Sequence, residues 1–413
     1  MNFNRRALLG AAASTPVWGA LPYRSARAQA ANTIKIGVLN DQSGTYRDLS
    51  GAGSTQAVRQ AIKDSGIEAR GITVEVVQAD HQNRPDVGST VVRQWIDRDG
   101  VDVIMDVPTS SVALAVNTIV REKNKVFINS GAAASDLTGS ACSPNTIHWT
   151  YDTWMLAKST GGAMVRAGGQ RWFFITADYA FGHALERDTS TFIRNAGGSI
   201  LGSVRTPFPG TTDFSSYLVQ AQASRAQVIG LANAGADTIN SIKQAAEFGI
   251  TRRGVKLAGL LVFITDVHSL GLQTAQGLVL TESFYWDLND RTRAFTQRIG
   301  NLPGNVKPTM VHAGCYAGAL HYLKAVAEMG VAAAKASGVE AVNRMKATPT
   351  EDDCFGAGSI RVDGRKIHPT YLFEVKSPAE SRAPWDYYKL LATTSAEESF
   401  RPLAEGGCSL VRS

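Results

Sequence analysis

From Thr33 onward, short apolar runs alternate with longer stretches in which apolar residues recur every three or four positions. TIKIGVLN (33–40) is the first run; AGSTQAVRQAIKD follows, with Ala57, Val58, Ala61 and Ile62 at helical spacing. TVEVVQAD then precedes DVGSTVVRQWIDR, whose apolar stripe is Val87, Val91, Val92 and Trp95. VDVIMDV precedes SVALAVNTIVRE, and KVFINS follows as a fourth strand. Strands of about six residues alternating with helices of about twelve predict a parallel sheet with helical crossovers. Several runs are apolar throughout, as expected where helices cover both faces of a sheet.

A second series opens after His148. RWFFITAD precedes a helix carrying Leu185, Phe192 and Ile193; SILGSVRT precedes FSSYLVQAQA; AQVIGLAN precedes TINSIKQAAEF; KLAGLLVF and GLVLTESFYW close this half. The pattern predicts two doubly wound α/β units of similar size. A helix over about Val311–Met329 follows, then two late strands, YLFEVK and DYYKLL, that must join an existing sheet.

Composition changes this picture little: 413 residues, 44% hydrophobic and 19% charged, describe ordinary globular cores. Charge matters more. Four basic residues (Arg5, Arg6, Arg24 and Arg27) lie in the first thirty positions, which hold no acid. Without them the basic excess of six falls to two, too little for a nucleic-acid partner. Arg5-Arg6 followed by an apolar run and by small residues at Ala28 and Ala30 reads as an export signal over 1–30, twin-arginine in type. The expected location is the periplasm.

An oxidising compartment permits disulfides among Cys142, Cys315, Cys354 and Cys408. Cys315 lies in a helical apolar pattern and reads as a small buried hydrophobe. Cys142–Cys408 is the preferred pairing, with free thiols as the alternative. No Cys-x-x-Cys pair, phosphate loop, Gly-x-Ser-x-Gly elbow or His-Glu-x-x-His is present, and the seven histidines are scattered. The chain is therefore expected to be no enzyme, with no metal and no cofactor.

In parallel α/β sheets ligands collect at the carboxyl ends of strands, against helix N-termini. Those loops read NDQSGTYRDLSG with Tyr46, DVPTSS with Thr109, Ser110 and Ser111, and NSGAAASD in the first half. In the second half they read TADYAFGH with Asp178, Tyr179 and Phe181, ANAGAD with Asn233, and VFITDVHS with Asp266. The serines and nearby amides suit a carboxylate, although Ser110 can equally cap its own helix. Aromatics beside small residues suit an otherwise apolar ligand.

In order and spacing, IKIGVLNDQSGTYRDLSGAGSTQAVRQAI, VPTSS, INSGAAASDLT and TADYAFGHALERD resemble the branched-chain-amino-acid-type periplasmic binding proteins of ABC importers. The resemblance runs from about Thr33 to Val375. It implies two Rossmann-like lobes with central parallel sheets, joined by three hinge crossovers and closing on ligand in the cleft. It carries the family's serine onto Ser110, its ligand-facing backbone onto Ala132 and Ala133, and its aromatic before glycine onto Phe181. Two positions depart. Where the family places a tyrosine this chain has Asn233-Ala234-Gly235, and where it places an ammonium-binding glutamate it has Gly259-Leu260-Leu261-Val262. Asp178 and Asp266 are the candidate substitutes for that glutamate, but neither stands at its position, and an ammonium buried without a carboxylate is costly.

The expected ligand therefore carries a carboxylate on an aromatic or apolar body, as in the family's aromatic-acid branch. A hydrophobic or branched-chain amino acid is the neighbouring possibility. The expected partner is an inner-membrane ABC permease, and the expected state a monomer. The alternative is a periplasmic sensor for amides or related small molecules that reports to a receptor. The lobes are expected to comprise residues 31–152 plus 282–357 and residues 153–281 plus 358–413.

Overall fold

The computed structural model describes residues 32–411; the expected export signal lies outside them. Five parallel strands form the first sheet: β1 (Thr33–Asn40), β2 (Thr73–Asp80), β3 (Val103–Asp106), β4 (Val126–Asn129) and β5 (Thr146–His148), in the order β2-β1-β3-β4-β5. Helices α1 (Gly51–Ser65), α2 (Pro85–Asp97) and α3 (Ser110–Glu122) connect them.

The unbroken apolar strands follow from burial on both faces. Val103 and Met105 of β3, with Val126 and Ile128 of β4, pack with α1 residues such as Val58 and Ala61. The intervening Ile104 and Phe127 pack with Trp95 of α2 and Val112 and Val116 of α3. Alternate side chains thus feed two different cores.

The second sheet repeats the plan with β6 (Arg171–Ala177), β7 (Ser199–Thr206), β8 (Val228–Ala232) and β9 (Lys256–Gly259), in the order β7-β6-β8-β9. Its helices are α4 (Ala180–Asn195), α5 (Ser215–Ala223), α6 (Ala236–Glu247) and α7 (Ile264–Leu270). The run KLAGLLVF is shorter as a strand than its composition predicts. After Gly259 the chain leaves the sheet, and Phe263 N–H donates to Asp266 Oδ2 at 2.9 Å to start α7.

The chain then returns. Beyond β10 (Val279–Glu282) and α8 (Asp290–Ile299), α9 (Met310–Met329) packs along α1 in the first lobe. After α10 (Gly338–Ala347) come the short strands β11 (Ser359–Ile360) and β12 (Lys366–Ile367). The late strands β13 (Thr370–Val375) and β14 (Tyr388–Thr394) find their sheet on β10, in the antiparallel order β10-β13-β14. Phe373, Val375 and Tyr388 thereby complete the second lobe's core with Phe173 and Ile229.

Two segments do not follow the expected boundary at 357/358. The β11–β12 hairpin sits on the first lobe, where His148 N–H donates to Gly364 O at 2.9 Å and His148 bridges Arg365. Two-residue strands carry no periodicity, so nothing in the pattern marks them. The chain's end also returns there, because Cys142 and Cys408 form a disulfide. Cys315 and Cys354 are free and buried.

Candidate functional site

The carboxyl ends of the two sheets face one another across a narrow slot with a cavity volume of about 10 Å³. That is about room for one water, so the two lobes are shut on each other here and a ligand enters only when they part. Leu49, Pro108, Gly131, Ala133 and Tyr46 line it from the first lobe, Tyr151 from the first crossover, and Tyr179, Phe181, Ala234, Leu261 and Phe263 from the second lobe. No lining residue is charged.

Local hydrogen bonding explains how these residues are presented. The Asp41 carboxylate collects the N–H groups of Ser43, Gly44 and Tyr46 at 3.2, 2.6 and 2.8 Å, fixing the turn that carries Tyr46. It also accepts from Asn83 Nδ2 at 2.7 Å, and Asn83 Oδ1 accepts from Thr109 Oγ1 at 2.5 Å. Thr109 stands at the N-cap of α3 but ties the helix to this loop instead of capping it. Asp106 and Val107 have φ of 78° and 58°, an uncommon turn for non-glycine residues that leads into Pro108. Asp106 Oδ2 accepts from Asn40 Nδ2 and Ser50 Oγ, each at 2.9 Å. Burial pushes the Asp106 carboxyl up to about 6. A Cβ on Gly131 would lie 2.7 Å from Pro108 Cα, so only glycine lets these two loops meet.

One end of the slot offers neutral donors. Ser110 Oγ accepts from Ala134 N–H at 3.2 Å, beside slot-lining Ala133. The first N–H groups of α3 lie outside its hydrogen-bond ladder, and their dipole favours an anion. The other walls are rings. Tyr179 stacks on Phe208 at 4.0 Å and 13°, Tyr46 stacks on the same ring at 5.5 Å, and Tyr151 meets Phe263 edge-on at 5.8 Å. The Tyr46 and Tyr179 hydroxyls bond to each other across the cleft. Burial drives both phenols well above their ordinary range, with their mutual proximity and nearby Asp237 adding to the effect on Tyr46. Tyr151 OH donates to Gly131 O at 2.6 Å.

The lobes touch on both sides of the slot. On one side Ala236 N–H donates to Thr45 O at 3.2 Å, next to Gly235. On the other, Asp188 of α4 accepts from Ser135 Oγ at 2.7 Å and Thr153 Oγ1 at 2.6 Å, while Arg187 pairs with Asp136 at 3.2 Å.

Among the residues singled out from the sequence, Tyr46, Ala133, Tyr179 and Phe181 line the slot and Ser110 adjoins it. The other ligand-binding candidates are employed elsewhere. Ser111 is half-buried on α3 away from the lining. Both backbone groups of Ala132 are taken by the Asn129 side chain at 2.8 Å. Asp178 is exposed and pairs with His183 at 2.8 Å. Asn233 bonds Ser241 and Thr238 at 3.0 and 2.8 Å, steadying the start of α6. Asp266 caps α7, and burial raises its carboxyl to about 7. Neither aspartate proposed as an ammonium partner lines the slot.

Tyr151 and Phe263 escaped the sequence reading because one lies in a crossover and the other inside an apparent strand. Asp237 was also missed. It is buried, burial pushes its carboxyl up to about 7, and Oδ2 has no partner among the described residues. Among the described residues no cluster of three or more His, Cys, Asp or Glu could hold a metal, and no helix is long and apolar enough to cross a membrane.

Comparison with known proteins gives a consistent result. Residues 33–381 match the family profile described as periplasmic binding protein. A crystal structure of a periplasmic binding protein from Burkholderia mallei is 46% identical, covers 92% of this chain and 100% of that chain, and superposes with a TM-score of 0.88. A branched-chain amino acid ABC transporter periplasmic ligand-binding protein from Burkholderia xenovorans is 39% identical, covering 91% and 99%, with a TM-score of 0.79. A Leu/Ile/Val-binding protein homologue from Brucella abortus is 22% identical over 83% of this chain and 84% of its own length. At 22% identity and a TM-score of 0.79, covering 89% of this chain and 98% of its own, an R. palustris solute-binding protein in complex with 4-hydroxybenzoate shares the fold.

Proposed function

The chain belongs to the periplasmic binding protein family, and from that premise we propose that it captures a small aromatic carboxylate and delivers it to an ABC permease. It is a binding protein of the ABC-transporter type and not an enzyme. The family places its work in the periplasm.

The observation that carries the ligand class is the slot's lining: five aromatic side chains (Tyr46, Tyr151, Tyr179, Phe181 and Phe263) and no charged one. In this reading the carboxylate lies at Ser110, Ala133 and the start of α3, where fixed dipoles meet its charge. The ring lies between Phe181, Tyr151 and Phe263. The Tyr46–Tyr179 pair closes over the far end, each lobe contributing one hydroxyl.

A branched-chain amino acid is the second reading. It is favoured by the likeness to the B. xenovorans branched-chain amino acid ABC transporter ligand-binding protein and by Asp237, a buried carboxyl with a free oxygen whose charge is felt by both cleft tyrosines. A thermal-shift and calorimetric screen of benzoate, 4-hydroxybenzoate, phenylacetate, leucine, valine and benzamide separates the two. A ligand at 100 times its Kd stabilises by about 2.7 kcal/mol, which is readily seen. Aromatic carboxylates should rank first; leucine or valine at the top would establish the second reading instead. Benzamide above benzoate would point to the amide sensor.

A further inference from the structure

The backbone crosses between the lobes after β5, between β10 and α8, and between β12 and β13, and it crosses again after its last strand. β14 belongs to the second lobe's core, whereas Cys408, fourteen residues beyond Thr394, is bonded to Cys142 of the first lobe. The intervening tail is packed along its length. Ser399 Oγ bonds Thr370 Oγ1 at 3.0 Å, at the third crossover. The Phe400 ring lies under the Arg365 guanidinium at 4.3 Å, and Arg365 in turn holds Thr150 O and Asp152 in the first crossover. Arg361 Nη1 donates to Arg401 O at 2.8 Å.

Arg401 then reaches the ligand loop. Its Nη2 donates to Ser135 O at 2.9 Å, two residues beyond slot-lining Ala133. Gly139 lets the tail come this close, since a Cβ there would meet Arg401 Nη2 at 2.6 Å and Gly406 O at 2.7 Å. On its opposite side the Ser135 N–H donates to Thr153 Oγ1 at 3.1 Å, and its hydroxyl donates to Asp188 of the second lobe at 2.7 Å. The loop is thus held from outside by the tail and from across the cleft by α4.

We infer that the 396–408 tail is a fourth connection between the lobes, pinned by the Cys142–Cys408 disulfide, and that its Arg401 is a positioning residue for the loop that receives the ligand's carboxylate. Ser135 O is a buried acceptor that Thr138 Oγ1 reaches only at 3.4 Å, so withdrawing the shorter Arg401 bond loosens the segment that sets the Ala133 and Ala134 amides. The assignment of a carboxylate to that loop rests on the proposed function; the assignment of the loop's position to the tail does not.

The test uses the full-length mature protein as wild type, Arg401→Ala, Arg401→Lys and Cys142→Ser/Cys408→Ser. Hydrogen exchange in the ligand-free proteins is read first. The inference expects the Ala134 and Ser135 amides to exchange at least tenfold faster in Arg401→Ala and in the double serine variant, with partial recovery in Arg401→Lys. The amides of β6 and β8 should be unchanged. Calorimetry with benzoate and benzamide is read second, below the melting temperature of every variant. Benzoate affinity should fall about tenfold in Arg401→Ala while benzamide affinity stays within twofold.

Unchanged loop exchange overturns the inference. So does acceleration spread equally over both sheets, or an equal loss for acid and amide, either of which marks a merely structural contact. Accelerated loop exchange with intact benzoate binding overturns the positioning role. Accelerated loop exchange in a protein whose wild type binds no carboxylate leaves the tail's hold on the loop standing and removes the proposed ligand class.

Discussion

Gly235 is where the closed cleft is most sensitive to a single methyl group. Its φ of 59° and ψ of −134° lie in a region that is essentially glycine's own. A Cβ there would sit well inside van der Waals contact with Thr45 O and 3.0 Å from Tyr46 Cδ1, both on the other lobe. Gly235→Ala therefore imposes two separable costs. The backbone cost, about 1–3 kcal/mol, is present whether the lobes are apart or together and lowers the melting temperature of the ligand-free protein. The clash exists only when the lobes meet. It displaces Thr45 from Ala236 N–H and Tyr46 from Tyr179, and at about 0.5–1.5 kcal/mol per hydrogen bond it removes roughly 1–3 kcal/mol from closure.

On the proposed reading, in which ligand binds across the closed cleft, that second cost enters the affinity directly. A penalty of about 1–3 kcal/mol corresponds to a roughly 5–150-fold rise in Kd. Calorimetry with the leading ligand of the screen gives the Kd, a thermal melt without ligand gives the backbone cost, and small-angle scattering with saturating ligand reports compaction. A lower melting temperature with unchanged Kd and unchanged compaction would refute the reasoning, because Gly235 and Thr45 would then not meet in the ligand-bound state.

Ser110→Ala should weaken carboxylate binding by about 1.5–3 kcal/mol, the range for a hydrogen bond to a charged group, and should weaken the matching amide less; equal losses in calorimetry would remove Ser110 from the carboxylate end. Phe181→Ala should cost about 1.5–3 kcal/mol of affinity by stripping one wall of the slot, and an unchanged Kd would place the ring elsewhere. Asp237→Asn bears on pH. Burial raises the folded carboxyl from 3.8 to about 7, so the stability it contributes is complete below pH 4 and is lost as pH rises through 7. The asparagine variant should therefore gain in stability relative to wild type as pH rises from about 4 to 7, by a few kcal/mol at most, and hold that gain above pH 7. A difference that does not change with pH would mean the acid is not buried unpaired.

Much of the architecture is legible in the pattern of apolar positions because both sheets are buried on both faces. Val103, Ile104 and Met105 feed opposite cores in turn, and such runs can be little else than central strands. The late strands were legible as strands, and only their partner β10 had to be supplied by the fold. What stayed hidden was set by single contacts. The β11–β12 hairpin follows Gly364 and His148, and β9 stops where Asp266 claims the Phe263 amide. At the site the strand-end loops were the right places to look, but residue type did not tell lining from scaffolding. Thr109, Asn233 and Asp266 have the chemistry of ligand contacts and spend it on neighbouring backbone and side chains. Tyr151 has the opposite history, reaching the slot from a crossover that no strand-end rule marks.

The slot's neutrality bears on why the surrounding acids are arranged as they are. Asp106, Asp237, Asp266 and Glu282 are all buried, and burial raises every one of their carboxyls. None of the four lines the slot, but ionised they would repel a carboxylate ligand of the proposed kind through the protein interior. Burial lessens that repulsion by favouring the protonated acids, fully for Glu282 but only in part at neutral pH for Asp106 at about 6 and for Asp237 and Asp266 at about 7, so on the proposed reading the α3 dipole meets the ligand's charge. No lysine or arginine lines the slot to hold the ligand as an ion pair, which a carrier would have to break at release. Binding that rests on ring stacking and fixed dipoles instead depends on the two lobes being together. Separating Tyr46 from Tyr179 then both opens the cleft and removes one wall, so release needs only the loss of closure.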